Sequence, residues 1–353
     1  MKKKFIVPTG YIIKEYLAEY GITQKELSAR IDMSQKHISN LLNGNSRLTE
    51  DVAVKLEKIF REIPASYWLN YESEYREYLT REKHSLLISE SELQALSERF
   101  NFNEIFKGLN WSLQKQAEEM LGLLQISTFN KFDEVYSSLN INFMKDGGQI
   151  EPIAVWLNLC REEVDIQNID LTNIPYDKEL LLSKLKILKS IANNPNIDNS
   201  INSARKLLNS CGINLVHCDA ITNSKVRGAL TSYKNKPAIY LSYRFQTHDH
   251  IWFALMHEIG HLILHYESQQ TILTYEVGMD NPLTIKESDA NKFSRNFFIS
   301  DETYADFISL QNFSEKSIID LAYSQRIQPG ILVARLQHDK LISYDQLNYL
   351  KQR

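Results

Sequence analysis

The stretch FALMHEIGHLILHY, residues 253–266, constrains this chain more than any other, because it sets His257, Glu258 and His261 inside an otherwise apolar run. Leu255, Ile259, Leu262 and Ile263 give it a face to bury, so the spacing predicts a core helix. On a helix, side chains four apart share one face, about one turn or roughly 6 Å from each other. His257 and His261 can therefore aim two imidazole nitrogens at one ion. Glu258, one residue on, is placed to reach a water held by that ion rather than the ion itself. The competing reading is a core helix whose polar residues are bonded to neighbours. It would need several compensating hydrogen bonds to bury two imidazoles and a carboxylate.

A hydrolytic zinc site takes three protein ligands and keeps one position open. The third ligand must come from elsewhere, and IKESDANKFSRNFFIS (285–300) offers it. Phe293 and Phe297 fall four apart, as do Ala290 and Ser294, so the stretch reads as an amphipathic helix with Glu287 and Asp289 near its start. The 25 residues between His261 and Glu287 leave room to lay this helix against the first. Glu287 is the candidate third ligand; Asp289 is the fallback, or a partner behind the ligands. His265 continues the four-residue spacing, but a straight helix carries it about 12 Å along the axis from His257, beyond a shared zinc. It reads as a supporting or capping residue. His248 and His250 read as surface-loop histidines.

The chain of 353 residues has room for two or three domains, and 43% apolar with 24% charged residues is ordinary for a soluble protein. No apolar run approaches the roughly 18 residues of a membrane helix. In MKKKFIVPTG, Pro8 cuts the apolar part to three residues, too short for a signal peptide. The expectation is a cytoplasmic protein with no membrane partner. Cys160, Cys211 and Cys218 are odd in number and lack C-x-x-C spacing, so they read as small buried side chains.

Residues 1–60 carry ten Lys/Arg and seven Asp/Glu, a net +3, against −4 for the whole chain. A basic end on an acidic body points to nucleic acid. The segment reads as short packed helices: YIIKEYLAEYGI has helical spacing, Thr23 caps QKELSARI, Ser34 caps QKHISNLL, and Gly44 ends that helix. Thr49 with Glu50 and Asp51 opens VAVKLEKIF. Tyr67, Trp68 and Tyr71 are expected to pack behind the bundle. Residues 80–195 look mostly helical, with breaks at KDGGQIEP (145–152) and NNPNIDNS (193–200). From about 204 the helical ARKLLNSCG leads into INLVHCDAI, VRGALTSY and PAIYLSYR, which read as strands, the last two a hairpin. Helices are expected from about 249 to the end.

FALMHEIGHLILH followed by KESDANKFSRNFFIS resembles the ImmA/IrrE family of zinc metallopeptidases, over roughly residues 200–353. The resemblance implies zinc on His257, His261 and Glu287, with Glu258 as the catalytic base. Ser294 stands where the family commonly has Ala, a change in packing rather than in ligands. TQKELSARIDMSQKHISNLLNG, with RLTEDVAVKLEKIF and ASYWLN after it, resembles the Cro/C1-type helix-turn-helix in its plasmid-maintenance antidote branch, over roughly residues 8–78. Asp32 replaces the usual turn glycine and tolerates a left-handed conformation. In such a motif the recognition helix enters the major groove. With Ile38, Leu41 and Leu42 facing inward, Gln35, Lys36, Ser39 and Asn40 are left to read bases, while Gln24, Asn45 and Arg47 hold phosphates.

The expected fold class is α+β, mainly helical with a small β-sheet. The division expected is a helix-turn-helix domain (1–78), a helical middle region (79–199) and a zincin-like metallopeptidase domain (200–353). The function implied is a DNA-binding regulator, a homodimer on double-stranded operator DNA, whose zinc-dependent endopeptidase cleaves a partner repressor or toxin. The alternative is an antitoxin-type repressor whose zinc site is structural or not used for proteolysis.

Overall fold

The computed structural model describes residues 6–85, 88–136, 149–244, 247–266, 272–275 and 285–351. The chain divides into two compact units, Met1–Gln94 and Ala95–Arg353.

The first unit holds α1 (Thr9–Glu19), α2 (Gln24–Arg30), α3 (Gln35–Leu42), α4 (Glu50–Ile59) and α5 (Ala65–Ser85). Polar caps set the starts of three of them. The Thr23 hydroxyl accepts the Glu26 N–H while the Glu26 carboxylate accepts the Thr23 N–H at 2.8 Å, a reciprocal capping box. Ser34 and Thr49 accept first-turn N–H groups of α3 and α4 in the same manner. Between α2 and α3, Asp32 takes φ +51°, as the sequence requires of the turn. The Met33 N–H then donates to the Ser28 carbonyl at 3.1 Å and closes it. Ile13, Leu27, Ile38, Leu41, Leu56 and Trp68 fill the core. Gly10 lets α1 meet α3 backbone to backbone; a Cβ there would lie 2.0 Å from the Leu41 carbonyl oxygen. Of the aromatic residues expected behind the bundle, Trp68 is fully buried and Tyr71 is half-buried. Tyr67 is 40% exposed, its ring edge-on to Trp68.

After α6 (Glu90–Arg99) come α7 (Phe102–Ile105), α8 (Leu113–Leu124), α9 (Phe132–Val135), α10 (Ile150–Gln167), α11 (Lys178–Ala192) and α12 (Ile197–Asn209). The strands β1 (Asn214–Cys218), β2 (Val226–Tyr233) and β3 (Lys236–Ser242) precede the long helix α13 (His248–Leu264). A short β4 (Ile272–Tyr275) separates α13 from α14 (Ile285–Phe298). The helices α15 (Asp301–Ser309), α16 (Glu315–Gln325) and α17 (Pro329–His338) follow. The α+β expectation holds: helices dominate, around one sheet of order β1-β3-β2-β4. β2 and β3 form the expected hairpin, and Lys234 and Asn235 at its tip both have positive φ, the two-residue turn that matches strand twist.

Three elements differ from expectation. Residues 150–152 belong to α10, with Pro152 in its first turn, where a missing N–H does no harm; residues 145–148 lie outside the described residues. β4 interrupts the stretch read as all-helical, since four residues are too few to establish alternation. Beyond α17, among the described residues, the chain forms turns and a 3₁₀ turn at Asn348–Leu350. Two further observations bear on the domain division. α5 runs through residue 78, and Leu181 and Leu188 of α11 lie in the same core as Leu208, Ile239, Leu255 and Leu332.

β1 is an edge strand whose outer backbone groups are closed by side chains rather than by another strand. The Gln167 amide accepts from the His217 N–H at 3.1 Å and donates to the His217 carbonyl at 2.9 Å. Asn168 accepts from the Leu215 N–H at 2.9 Å. Behind them the buried Arg205 guanidinium donates to the Leu215 carbonyl at 2.8 Å and to the Gln167 amide oxygen at 3.0 Å. Replacing Gln167 by Ala strips partners from one strand residue and one buried cation, so unfolding in urea should show a loss of about 1–3 kcal/mol. A loss below about 0.5 kcal/mol, the level of an ordinary surface substitution, would mean that this edge needs no such closure.

Candidate metal centre

α13 is buried through almost its whole length, Ile251 to Ile263, as its apolar composition demands. It packs against β2 and β3 of the sheet, against α14 and against α17. Its first turn holds Asp249, 3% exposed, which pairs with His250 Nδ1 at 3.1 Å and with Lys351 Nζ at 3.6 Å. His248 and His250 are thus not loop residues. The helix starts at His248, whose buried ring lies 3.1 Å from the Asn194 carbonyl, and burial pushes that imidazole down from its ordinary pKa.

His257 and His261 project from the same face toward α14. Their Nε2 atoms stand 2.9 Å apart. Glu287, in the first turn of α14, brings Oε2 to 3.2 Å from His257 Nε2 and Oε1 to 3.1 Å from His261 Nε2. One ligand atom from each residue lies within 4.8 Å of the others. Burial pushes the Glu287 carboxyl up, but hydrogen bonds and charge attraction from His257 and His261 outweigh it and bring it to about 2.

Close helix crossing makes this reach possible. A Cβ on Gly260 would sit 3.2 Å from Ala290 Cα and 3.1 Å from the Phe293 ring, so Gly260 faces the crossing point of α13 and α14. The space that Gly260 leaves is taken by the partner helix. Ser294, fully buried, pins the crossing by donating to the Phe253 carbonyl at 3.1 Å.

Glu258 is fully buried on the sheet side of α13, against Gly228 of β2, where a Cβ would meet its Oε1 at 2.6 Å. The β2–β4 register shifts between Val226 and Gly228, an irregularity of the kind that clusters beside functional residues.

Two supporting side chains escaped the sequence reading or were only half seen. Asn291 Oδ1 accepts from His257 Nδ1–H at 3.0 Å, which leaves the His257 Nε2 lone pair directed at the site. Its signal was present: Asn291 stands one turn after Glu287. His265, the C-cap of α13, places its Nδ1 3.3 Å from His261 Nδ1 and its Nε2 3.5 Å from Asp289 Oδ2. Asp289 is thus not among the three converging residues.

In the first unit, Gln24, Gln35, Lys36, Asn40, Asn45 and Arg47 are exposed and Ser39 is half-buried. Ile38, Leu41 and Leu42 turn inward, leaving the polar face of α3 free. Gln24 Nε2 donates to the Gln35 carbonyl at 3.4 Å, so these two residues lie together at the start of that helix.

Because Gly260 sits at a backbone crossing, Gly260→Val should drive α14 off α13 and carry Glu287 away from the imidazoles. The expected result is a stability loss of about 1–3 kcal/mol together with weakened zinc binding in chelator competition. Wild-type affinity in this variant would show that the crossing does not set the ligand geometry.

Residues 13–68 match a helix-turn-helix family model, and residues 209–334 match the model of the IrrE N-terminal-like domain. Among curated relatives, Virulence-associated protein A of Dichelobacter nodosus is 35% identical over 60 residues, covering 17% of this chain and 59% of that protein. An uncharacterized HTH-type transcriptional regulator of Haemophilus influenzae is 33% identical over 60 residues, covering 17% of this chain and 55% of that one. The chain thus spans somewhat over half the length of these relatives. A solved crystal structure of a hypothetical protein from E. coli is 23% identical, covering 26% of this chain and 99% of that chain, at a TM-score of 0.21 that carries no weight here. Taken with the two matched segments, the chain joins a helix-turn-helix domain at its N-terminal end to an IrrE N-terminal-like, peptidase-family domain in its C-terminal part.

Proposed function

We propose that this protein is a DNA-binding transcriptional regulator whose C-terminal domain is a zinc-dependent endopeptidase acting on a partner regulatory protein, such as a repressor or toxin. The observation that carries the reading is the convergence of His257, His261 and Glu287, with Glu258 the residue after His257 in the chain. The residues fit zinc. Tetrahedral ligation with bonds near 2.1 Å sets ligand atoms about 3.4 Å apart; here the two imidazole Nε2 atoms stand 2.9 Å apart, and they lie 3.2 and 3.1 Å from the two different oxygens of Glu287. Two neutral imidazoles and one carboxylate are the donor set of a hydrolytic zinc with an open position.

When bound, the ion supplies Lewis acidity toward a carbonyl and makes water a stronger acid. The chain's own residues do the rest. His257 and His261 present Nε2 lone pairs, and Asn291 holds the proton of His257 on Nδ1. The Glu258 carboxylate accepts a proton from the attacking water and returns it to the leaving amine. Its burial keeps bulk water from competing for that proton.

In the first unit, the polar face of α3 is the DNA-reading surface. Lys36 and Gln35 suit guanine and adenine edges, with Ser39 and Asn40 beside them. Gln24, Asn45 and Arg47 suit phosphates. One module of modest positive charge binds weakly, so two copies on a two-fold operator are the working form. No helix among the described residues is long and apolar enough to cross a membrane.

Glu258→Gln should lower cleavage of a co-expressed partner by about 10²–10⁴-fold while zinc stays bound at one per chain. Equal cleavage by the variant would remove the base from the account. For DNA, Arg47→Ala should weaken binding to every duplex alike and reduce the salt slope by about one. Lys36→Ala should instead erode preference for the operator by about 1–3 kcal/mol. Titrations against operator and scrambled duplexes separate the two, and exchanged effects would reverse the assigned roles.

A further inference from the structure

His261 differs from His257 in what stands behind it. His257 Nδ1 meets an amide oxygen, whereas His261 Nδ1 meets a second imidazole, His265 Nδ1, at 3.3 Å. That imidazole has its other nitrogen, Nε2, 3.5 Å from Asp289 Oδ2. Only one proton arrangement suits every contact when His261 keeps its Nε2 lone pair for the site. His261 Nδ1–H donates to the His265 Nδ1 lone pair, and His265 Nε2–H points at the Asp289 carboxylate. Asp289 is 51% exposed, so its charge remains solvated, while the His265 side chain is only 11% exposed.

We propose that His265 and Asp289 form a two-residue chain that fixes the tautomer and ring orientation of His261, making both of them positioning residues for the metal. The inference rests on the zinc reading given above. The ring of His265 is separable from its part in the fold. Its backbone N–H makes the last hydrogen bond of α13, to the His261 carbonyl at 2.8 Å, and any residue except proline can supply that bond. A glutamine at this position would offer an amide oxygen to His261 Nδ1–H and an amide N–H toward Asp289, reproducing the polarity of the chain. A leucine would fill similar space and offer neither.

The test uses the full chain and zinc alone, by chelator competition, with thermal unfolding of the metal-free protein to confirm folding. His265→Leu should weaken zinc binding by about 10–100-fold, the usual effect of removing a partner behind a ligand histidine. His265→Gln should restore most of it. The double variant His265→Leu with Asp289→Ala should bind no more weakly than His265→Leu alone, because residues acting in series are not additive. The cobalt-substituted spectrum of His265→Gln should match that of the wild type. Wild-type affinity in His265→Leu, equal weakness of the Leu and Gln variants when both are folded, or additive losses in the double variant would each overturn the proposal and leave the zinc site standing. If the wild type itself bound no zinc, or bound it equally well after His257→Ala, the metal reading would fail, and the proposal with it.

Discussion

Two helices crossing at backbone distance are the constraint on which the rest depends. Gly260 and Ala290 bring α13 and α14 together at a point where even one added carbon at position 260 would lie 3.2 Å from Ala290 Cα. From that crossing the ligand positions follow by helical geometry. His261 is one residue beyond Gly260 and His257 a turn before it; Glu287 is one turn before Ala290. Three lone-pair atoms then meet in a seam where His257 and His261 are almost completely shielded from water. The sheet does a different job, with Gly228 of β2 leaving the space in which the Glu258 carboxylate sits. The proposed base is thus held on the sheet side and the proposed third ligand on the helix side of one element.

The first unit follows a different logic. Its first four helices are short, so stability comes from the caps at Thr23, Ser34 and Thr49 and from a small apolar core. Burying Ile38, Leu41 and Leu42 leaves the other face of α3 entirely to polar residues. The side chains assigned to the two proposed roles, reading DNA and holding a metal, lie in separate units.

Much of this was legible because the sequence carried it in local pattern. Four-residue spacing exposed His257 and His261, and the second amphipathic run exposed Glu287. What escaped had no local pattern. At the start of α10, Pro152 reads as a break, yet a proline in a first turn is compatible with the helix that begins at Ile150. The burial of His248 comes from packing near Asn194, a residue 54 positions away. Gly260 carries no local signal of its role, because which neighbour uses its space depends on the position of α14. Asn291 and His265 were on the page as letters. Their work appears only when the rings of His257 and His261 have an orientation.

Anomalous diffraction at the zinc absorption edge, from crystals of the full chain prepared with zinc, tests the central claim most directly. The account predicts one strong peak per chain, within bonding distance of His257 Nε2, His261 Nε2 and a Glu287 carboxylate oxygen, with Glu258 outside the ligand set. A peak elsewhere in the chain, or one at the two imidazoles with Glu287 turned away and no other oxygen in its place, would contradict it.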